Sequence, residues 1–272
     1  MRKEFLAVSL LLFCSSFALG DIVLSTGFET TDSPAYPTAV ANLPTTNTLP
    51  VYDQNNQATR EIRLDNSPFG TGQYLALGSN NLRVRSNGTT PLTTVVFDLF
   101  EPSGFNGNVR FGFGNADLNN NTSTGSYTGW ILNNGVISVT DNTALASGSN
   151  PALLEDTHYL AHIFLNRSGS SEMINFGSES LTLGNNQAGL LFYNVASGTF
   201  TQGGVYNHTQ SVTNPNTFFF RTFNADTGGL IFIDNFTRYN QLVAIPEPAS
   251  LAFLVALPVG LCFVRRRSEV DG

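Results

Sequence analysis

The chain has 272 residues, only 12% of them charged, and it is rich in Gly, Asn, Thr and Ser. Long amphipathic helices draw on Glu, Lys, Arg, Ala and Leu, so this composition argues against a helical bundle and for short strands joined by tight turns. Residues 21–244 hold eight arginines, no lysine and sixteen carboxylates, so 8 − 16 leaves a net charge near −8 and makes a poor nucleic-acid binder.

At the N-terminus, Arg2 and Lys3 precede an apolar run over 5–13, and Ala18-Leu19-Gly20 follows it. A positive start, a short apolar segment and a small-x-small site form a signal peptide, with cleavage by signal peptidase expected after Gly20. The apolar run is too short for a retained anchor. The two cysteines, Cys14 and Cys262, both lie in terminal apolar segments. The region between them therefore has no disulfide framework, thiolate metal site or cysteine nucleophile. Leu11-Leu12-Phe13 lacks the small residue expected before a lipid-attachment cysteine at Cys14.

Residues 21–244 read as one all-β domain. Runs of β-branched and aromatic residues predict strands at 22–28, 74–77, 82–85, 94–100, 109–113, 129–132, 136–139, 159–165, 173–176, 190–193, 218–223 and 230–239. Asn87-Gly88, Asn106-Gly107, Asn134-Gly135 and Gly228-Gly229 mark turns between them, and Asn134-Gly135 centres a hairpin. About a dozen short strands with no intervening helix imply two packed antiparallel sheets. The polar stretch 117–126 reads as an exposed, mobile loop.

The C-terminus, 245–272, has three parts in order: Pro246-Glu247-Pro248, an apolar segment over 249–264, and Arg265-Arg266-Arg267. A helix over that segment rises about 24 Å, short of the roughly 30 Å hydrocarbon core. The prolines hold the preceding backbone extended, and the arginines stay cytoplasmic. These parts resemble the PEP-CTERM sorting signal of Gram-negative bacteria. The resemblance implies recognition by an exosortase at the inner membrane, removal of the tail, and delivery to the cell surface or an exopolysaccharide matrix.

The β domain also resembles the concanavalin A-like and laminin-G-like jelly rolls. Gly27-Phe28-Glu29 opens it, and Phe232-Ile233-Asp234-Asn235-Phe236 closes it. In that group the opening and closing strands lie side by side, which would bring Glu29 and Asp234 together at one sheet end. Two neighbouring carboxylates repel unless a cation neutralises them, so the pair is the candidate structural Ca²⁺ site, completed by Asp21 or a loop carbonyl. The fold by itself assigns no activity.

His158 and His162 lie in a predicted strand, where a four-residue separation spans about 13 Å and excludes one shared metal ion. No Gly-x-Ser-x-Gly elbow or compact Glu-x-Asp-x-x-Glu motif is present, so no catalytic set is assigned. Tyr127, Trp130, Tyr193 and Tyr206 can stack on sugars or fill a core. Tyr127, in a polar stretch, is the exposed candidate, whereas Trp130, between Gly129 and Ile131, also suits the core. Arg83 and Arg85 share a strand face. The sequence thus points to a non-catalytic exported surface or matrix protein associated with extracellular polysaccharide. A carbohydrate-binding lectin-like module is the alternative, and a glycan-degrading enzyme stands third.

Overall fold

The computed structural model describes residues 22–29, 31–32, 35, 52–53, 60–63, 67–70, 72–78, 83–114, 126–140, 143–208, 215, 217–223 and 230–243. Ala18, Gly20, Pro246, Glu247, Pro248, Arg265, Arg266 and Arg267 lie outside the described residues, as does the polar stretch up to 125. Among the described residues no helix is long and apolar enough to cross a membrane.

The strands, in chain order, are β1 (Ile22–Thr26), β2 (Tyr52–Asp53), β3 (Arg60–Arg63), β4 (Tyr74–Gly78), β5 (Arg83–Asn87), β6 (Leu92–Phe100), β7 (Asn108–Gly114), β8 (Ser126–Asn133) and β9 (Val136–Val139). They continue with β10 (Thr143–Ser147), β11 (His158–Asn166), β12 (Glu172–Phe176), β13 (Glu179–Leu183), β14 (Gln187–Asn194), β15 (Thr199–His208), β16 (Thr217–Phe223) and β17 (Leu230–Tyr239). A nine-stranded antiparallel sheet runs β10-β15-β14-β11-β6-β17-β4-β3, with β1 also on β17. A six-stranded sheet runs β2-β5-β16-β7-β8-β9, and β12-β13 forms a separate hairpin.

Strand alternation explains the layering. On β6, Val95, Phe97 and Leu99 enter the core, while Thr94, Val96, Asp98 and Phe100 take the other face. The six-stranded sheet answers with Val109, Phe111 and Phe113 from β7 and Phe218 and Phe220 from β16. Phe97 lies edge-on to Phe111 at 6.5 Å and to Phe220 at 5.0 Å, so aromatic rings join the two layers. The domain is therefore an antiparallel two-sheet β-sandwich, as the sequence predicts.

The β12-β13 hairpin covers part of the nine-stranded sheet's outer face. Ile174, Phe176, Leu181 and Leu183 bury against Phe164, Leu191 and Val205 in a second, smaller core. Gly189 makes this approach possible, since a Cβ there would lie 2.7 Å from a Leu181 methyl. The predicted Asn134-Gly135 hairpin joins β8 to β9, with φ of 47° and 72° at the two turn residues.

Candidate functional site at a strand junction

One edge of β17 is shared by two strands set end to end. β4 pairs with Leu230–Ile233 and β1 pairs with residues 236–239. Asp234 and Asn235 face the junction between them. Here β17 carries a bulge: Asp234 opposes Asp98 on β6, but the next paired residue is Thr237, opposite Val96. The extra residue turns Phe236 into the core while Asp234 and Thr237 keep the outer face. Asn235, at φ 47°, absorbs the bend, and Phe28 across the junction has φ 59°. Left-handed conformations at non-glycine residues cost free energy, and here two of them flank one site.

Side-chain bonds tie the junction together. Asp32 Oδ2 accepts from Thr26 Oγ1 at 2.6 Å, Gly27 N at 3.1 Å and Glu29 N at 3.0 Å. Gln73 donates its backbone N–H to Glu29 Oε1 at 2.7 Å and its side-chain amide to the Phe28 carbonyl at 2.6 Å. Asn235 donates to both facing aspartates, from N to Asp234 Oδ1 at 2.7 Å and from Nδ2 to Asp98 Oδ2 at 2.6 Å. The other Asp98 oxygen lies 2.7 Å from His158 Nε2.

Aromatic rings border this polar centre on the same sheet face. Phe69 stands edge-on to His158 at 5.0 Å and to Tyr74 at 6.2 Å. Tyr74 meets Phe232 at 5.4 Å, and Phe232 stacks on Phe100 at 6.1 Å. Phe69, Phe100 and Phe232 are each half-buried, while Asp98 and Asp234 are buried to 7% and 4% exposure. The arrangement sets apolar ring surface beside hydrogen-bonding carboxyl groups.

Burial dominates the electrostatics of Asp234. It pushes the carboxyl up to about 7, with repulsion from Asp98, Glu29 and Asp32 adding to the rise and the Asn235 N–H opposing it. At neutral pH the group sits near half-protonation, and its proton relieves crowding among four acidic side chains.

The predicted pair, Glu29 and Asp234, is thus brought within electrostatic reach, at a junction in the middle of β17 rather than at a sheet end. Asp98 and His158 complete the site, and only the three-dimensional register links them to it. No group of three carboxylate, imidazole or thiol side chains among the described residues is arranged to hold a metal ion. A calcium ion at Glu29 and Asp234 would need its remaining oxygens from backbone or water.

The remaining predicted residues scatter. Trp130 is fully buried, stacked on Phe111 at 5.7 Å and edge-on to Tyr206 at 5.3 Å. It is a core residue and not a sugar platform, because strand alternation on β8 puts it on the face with Leu132. Tyr206 is buried beside it, donating its hydroxyl to Asn150 Oδ1 at 3.1 Å. Tyr127 lies on β8 with its side chain outside the described residues. His158 and His162 share the outer face of β11, as the strand reading requires, but only His158 joins the site.

The sequence matches no protein-family model and no curated protein. Solved structures of similar shape include the exoplasmic/lumenal domain of VIP36 in a Ca²⁺/Man3GlcNAc-bound form. It aligns with 65% of this chain and 85% of its own, at 10% identity and a TM-score of 0.42. A carbohydrate esterase from Shiga toxin-encoding bacteriophage phi24B covers 75% of this chain and 99% of its own, at 10% identity and 0.41. Arcelin-5, a lectin-like defense protein from Phaseolus vulgaris, covers 74% and 97%, at 9% identity and 0.33.

Proposed function

We propose that this chain is an exported, non-catalytic surface or matrix protein whose jelly-roll sandwich binds carbohydrate through the outer face of the nine-stranded sheet. The observation that carries the reading is the half-buried ring set Phe69, Phe100 and Phe232 beside the Asp98–Asp234 pair. A sugar ring has apolar C–H faces and hydroxyl edges, and this surface offers partners for both. The two carboxyls stand side by side, joined through Asn235, so they present one acid unit rather than two groups flanking a scissile bond.

Address comes from the termini. Cleavage after Gly20, a short membrane helix over 249–264, and processing at Pro246-Glu247-Pro248 by an exosortase would leave the domain outside the inner membrane of a Gram-negative cell. A structural Ca²⁺ at Glu29 and Asp234 belongs to the same proposal, since a cation would offset the repulsion that raises Asp234. Chelator leaving the melting temperature unchanged at about pH 8 would remove calcium from the account.

The test of binding is affinity electrophoresis of the mature domain in gels containing neutral polysaccharides such as mannan, β-glucan and dextran. Retardation by at least one, weakened about tenfold or more in Phe232→Ala with the melting curve retained, is expected. A wild-type domain that none of them retards, or a Phe232→Ala variant that binds unchanged, overturns the reading.

A further inference from the structure

We infer that the carbohydrate site extends across the nine-stranded sheet to a second aromatic subsite, Tyr193 with Phe200, and that its ligand is an uncharged, unbranched glycan held over four or more linked sugar units. The extension rests on the carbohydrate reading of the site at Phe232. Register sets five outer-face residues in one rank, each directly opposite the next: Asp234 on β17, Asp98 on β6, Leu160 on β11, Tyr193 on β14 and Phe200 on β15. Leu160 takes this face because its neighbours Tyr159 and Ala161 enter the core, and Tyr193 does so because Phe192 enters it. The rank thus starts at the buried acid unit and ends on two rings whose centroids lie 5.0 Å apart.

A solvated face of an antiparallel sheet ordinarily carries polar residues. This rank does the reverse on three successive strands, where Leu160, Tyr193 and Phe200 are apolar or aromatic and only half-buried. The β12-β13 hairpin stands beside its far end, with Phe176 edge-on to Phe200 at 5.5 Å. Adjacent strands are about 4.8 Å apart, so the four steps from Asp234 to Phe200 span roughly 19 Å. One step is comparable with the length of one pyranose ring. A disaccharide seated over Asp234 and Asp98 therefore stops near Leu160, whereas a chain of about four units or more reaches both distal rings. Leu160 offers the middle units an apolar floor for their C–H faces, and the rings offer the last ones a stacking surface. The same strands decide the charge of the ligand. β6, β11, β14 and β15 contain no arginine or lysine, and residues 21–244 carry a net charge near −8, so an anionic glycan would meet repulsion without a counter-charge.

Chain length is the quantity to vary. Binding of the mature protein to cello-, manno- and isomalto-oligosaccharides of two to six units is measured by isothermal titration calorimetry. In a series that binds, the tetramer or pentamer should bind about tenfold or more tightly than the dimer, with little gain beyond. Tyr193→Ala should remove that gain and leave dimer affinity unchanged, whereas Phe232→Ala weakens every length. Should Tyr193→Ala lose its melting transition, Tyr193→Leu keeps apolar volume without the stacking ring and is expected to show the same loss. A dimer bound as tightly as the hexamer, or a folded Tyr193 variant with the wild-type chain-length profile, overturns the inference and leaves the site at Phe232 standing. Absence of binding in all three series overturns it together with the reading on which it rests.

Discussion

Asp98 and Asp234 oppose each other across β6 and β17, and a single residue, Asn235, donates to both carboxyl groups. This acid unit makes stability depend on pH in a definite direction. Asp234 titrates near 7 in the folded chain and near its ordinary 3.8 when unfolded, so the folded state holds the extra proton between those values. Its contribution is therefore complete below about pH 4 and is lost as pH rises through about 7, at up to about 1.4 kcal/mol per pH unit. Asp234→Asn, which keeps the shape without the charge, should be more stable than wild type at about pH 8 and not at about pH 4. Urea unfolding at both pH values measures this, and equal midpoints for the two proteins at about pH 8 would refute it.

His162 acts in the opposite sense. It lies on the outer face of β11 beside Phe164, paired in register with Leu191 and Val96, and neither ring nitrogen has a hydrogen-bond partner. Burial holds its pKa down to about 3, from an ordinary 6.5. The unfolded chain then binds the extra proton, and stability is lost as pH falls from about 6.5 towards 3. Between roughly pH 4 and 6.5 this slope opposes that of Asp234, so the wild-type profile should be nearly flat there. His162→Phe should leave the Asp234 slope exposed, with stability rising as the solution is acidified through that window. A variant whose thermal midpoint tracks wild type across the window would show that the ring is hydrated.

How much of this was legible in the sequence follows from where the information lies. Alternation and Asn-Gly turns are local, so β6, β9, β11 and β17 were readable to within a residue or two. β10, β13 and β15 were not, because their apolar residues are sparse and the Gly203-Gly204 pair interrupts β15, where the register with β14 shifts. Glu29 and Asp234 were found because one follows the opening strand and the other lies in the closing one. Asp98 was missed, since nothing local distinguishes it from an ordinary polar-face residue, and only the β6–β17 register sets it opposite Asp234.

Trp130 separates core packing from binding. Its indole N–H is buried without a partner, so replacing the ring by phenylalanine removes volume but also removes an unsatisfied donor. Trp130→Phe should therefore cost only about 1 kcal/mol, against about 3–5 kcal/mol for Trp130→Ala. Neither should alter retardation by neutral glycans at temperatures where the protein is folded. Chemical denaturation gives the two costs. A Phe variant as damaging as the Ala variant would mean that the indole N–H contributes after all.

Gly70 and Gly72 allow strain at the strand junction to be separated from crowding. Their φ values are +115° and +110°, so an alanine at either position adopts a backbone conformation that side chains disfavour. At Gly70 a Cβ meets nothing within 4 Å, whereas at Gly72 it would run into the Glu29 carboxylate. That carboxylate accepts the Gln73 N–H, the bond that fastens the start of β4 to the end of β1. Gly70→Ala should cost the backbone strain alone, about 1 kcal/mol or somewhat more. Gly72→Ala should cost that amount plus the lost charge-assisted bond, roughly 1.5–3 kcal/mol further. It should also blunt any calcium response of the melting curve, because the added Cβ displaces the Glu29 carboxylate. Equal destabilisation by the two alanines would show that Glu29 does not fasten the junction, and the acid site would then have to be held by Asn235 and Asp32 alone.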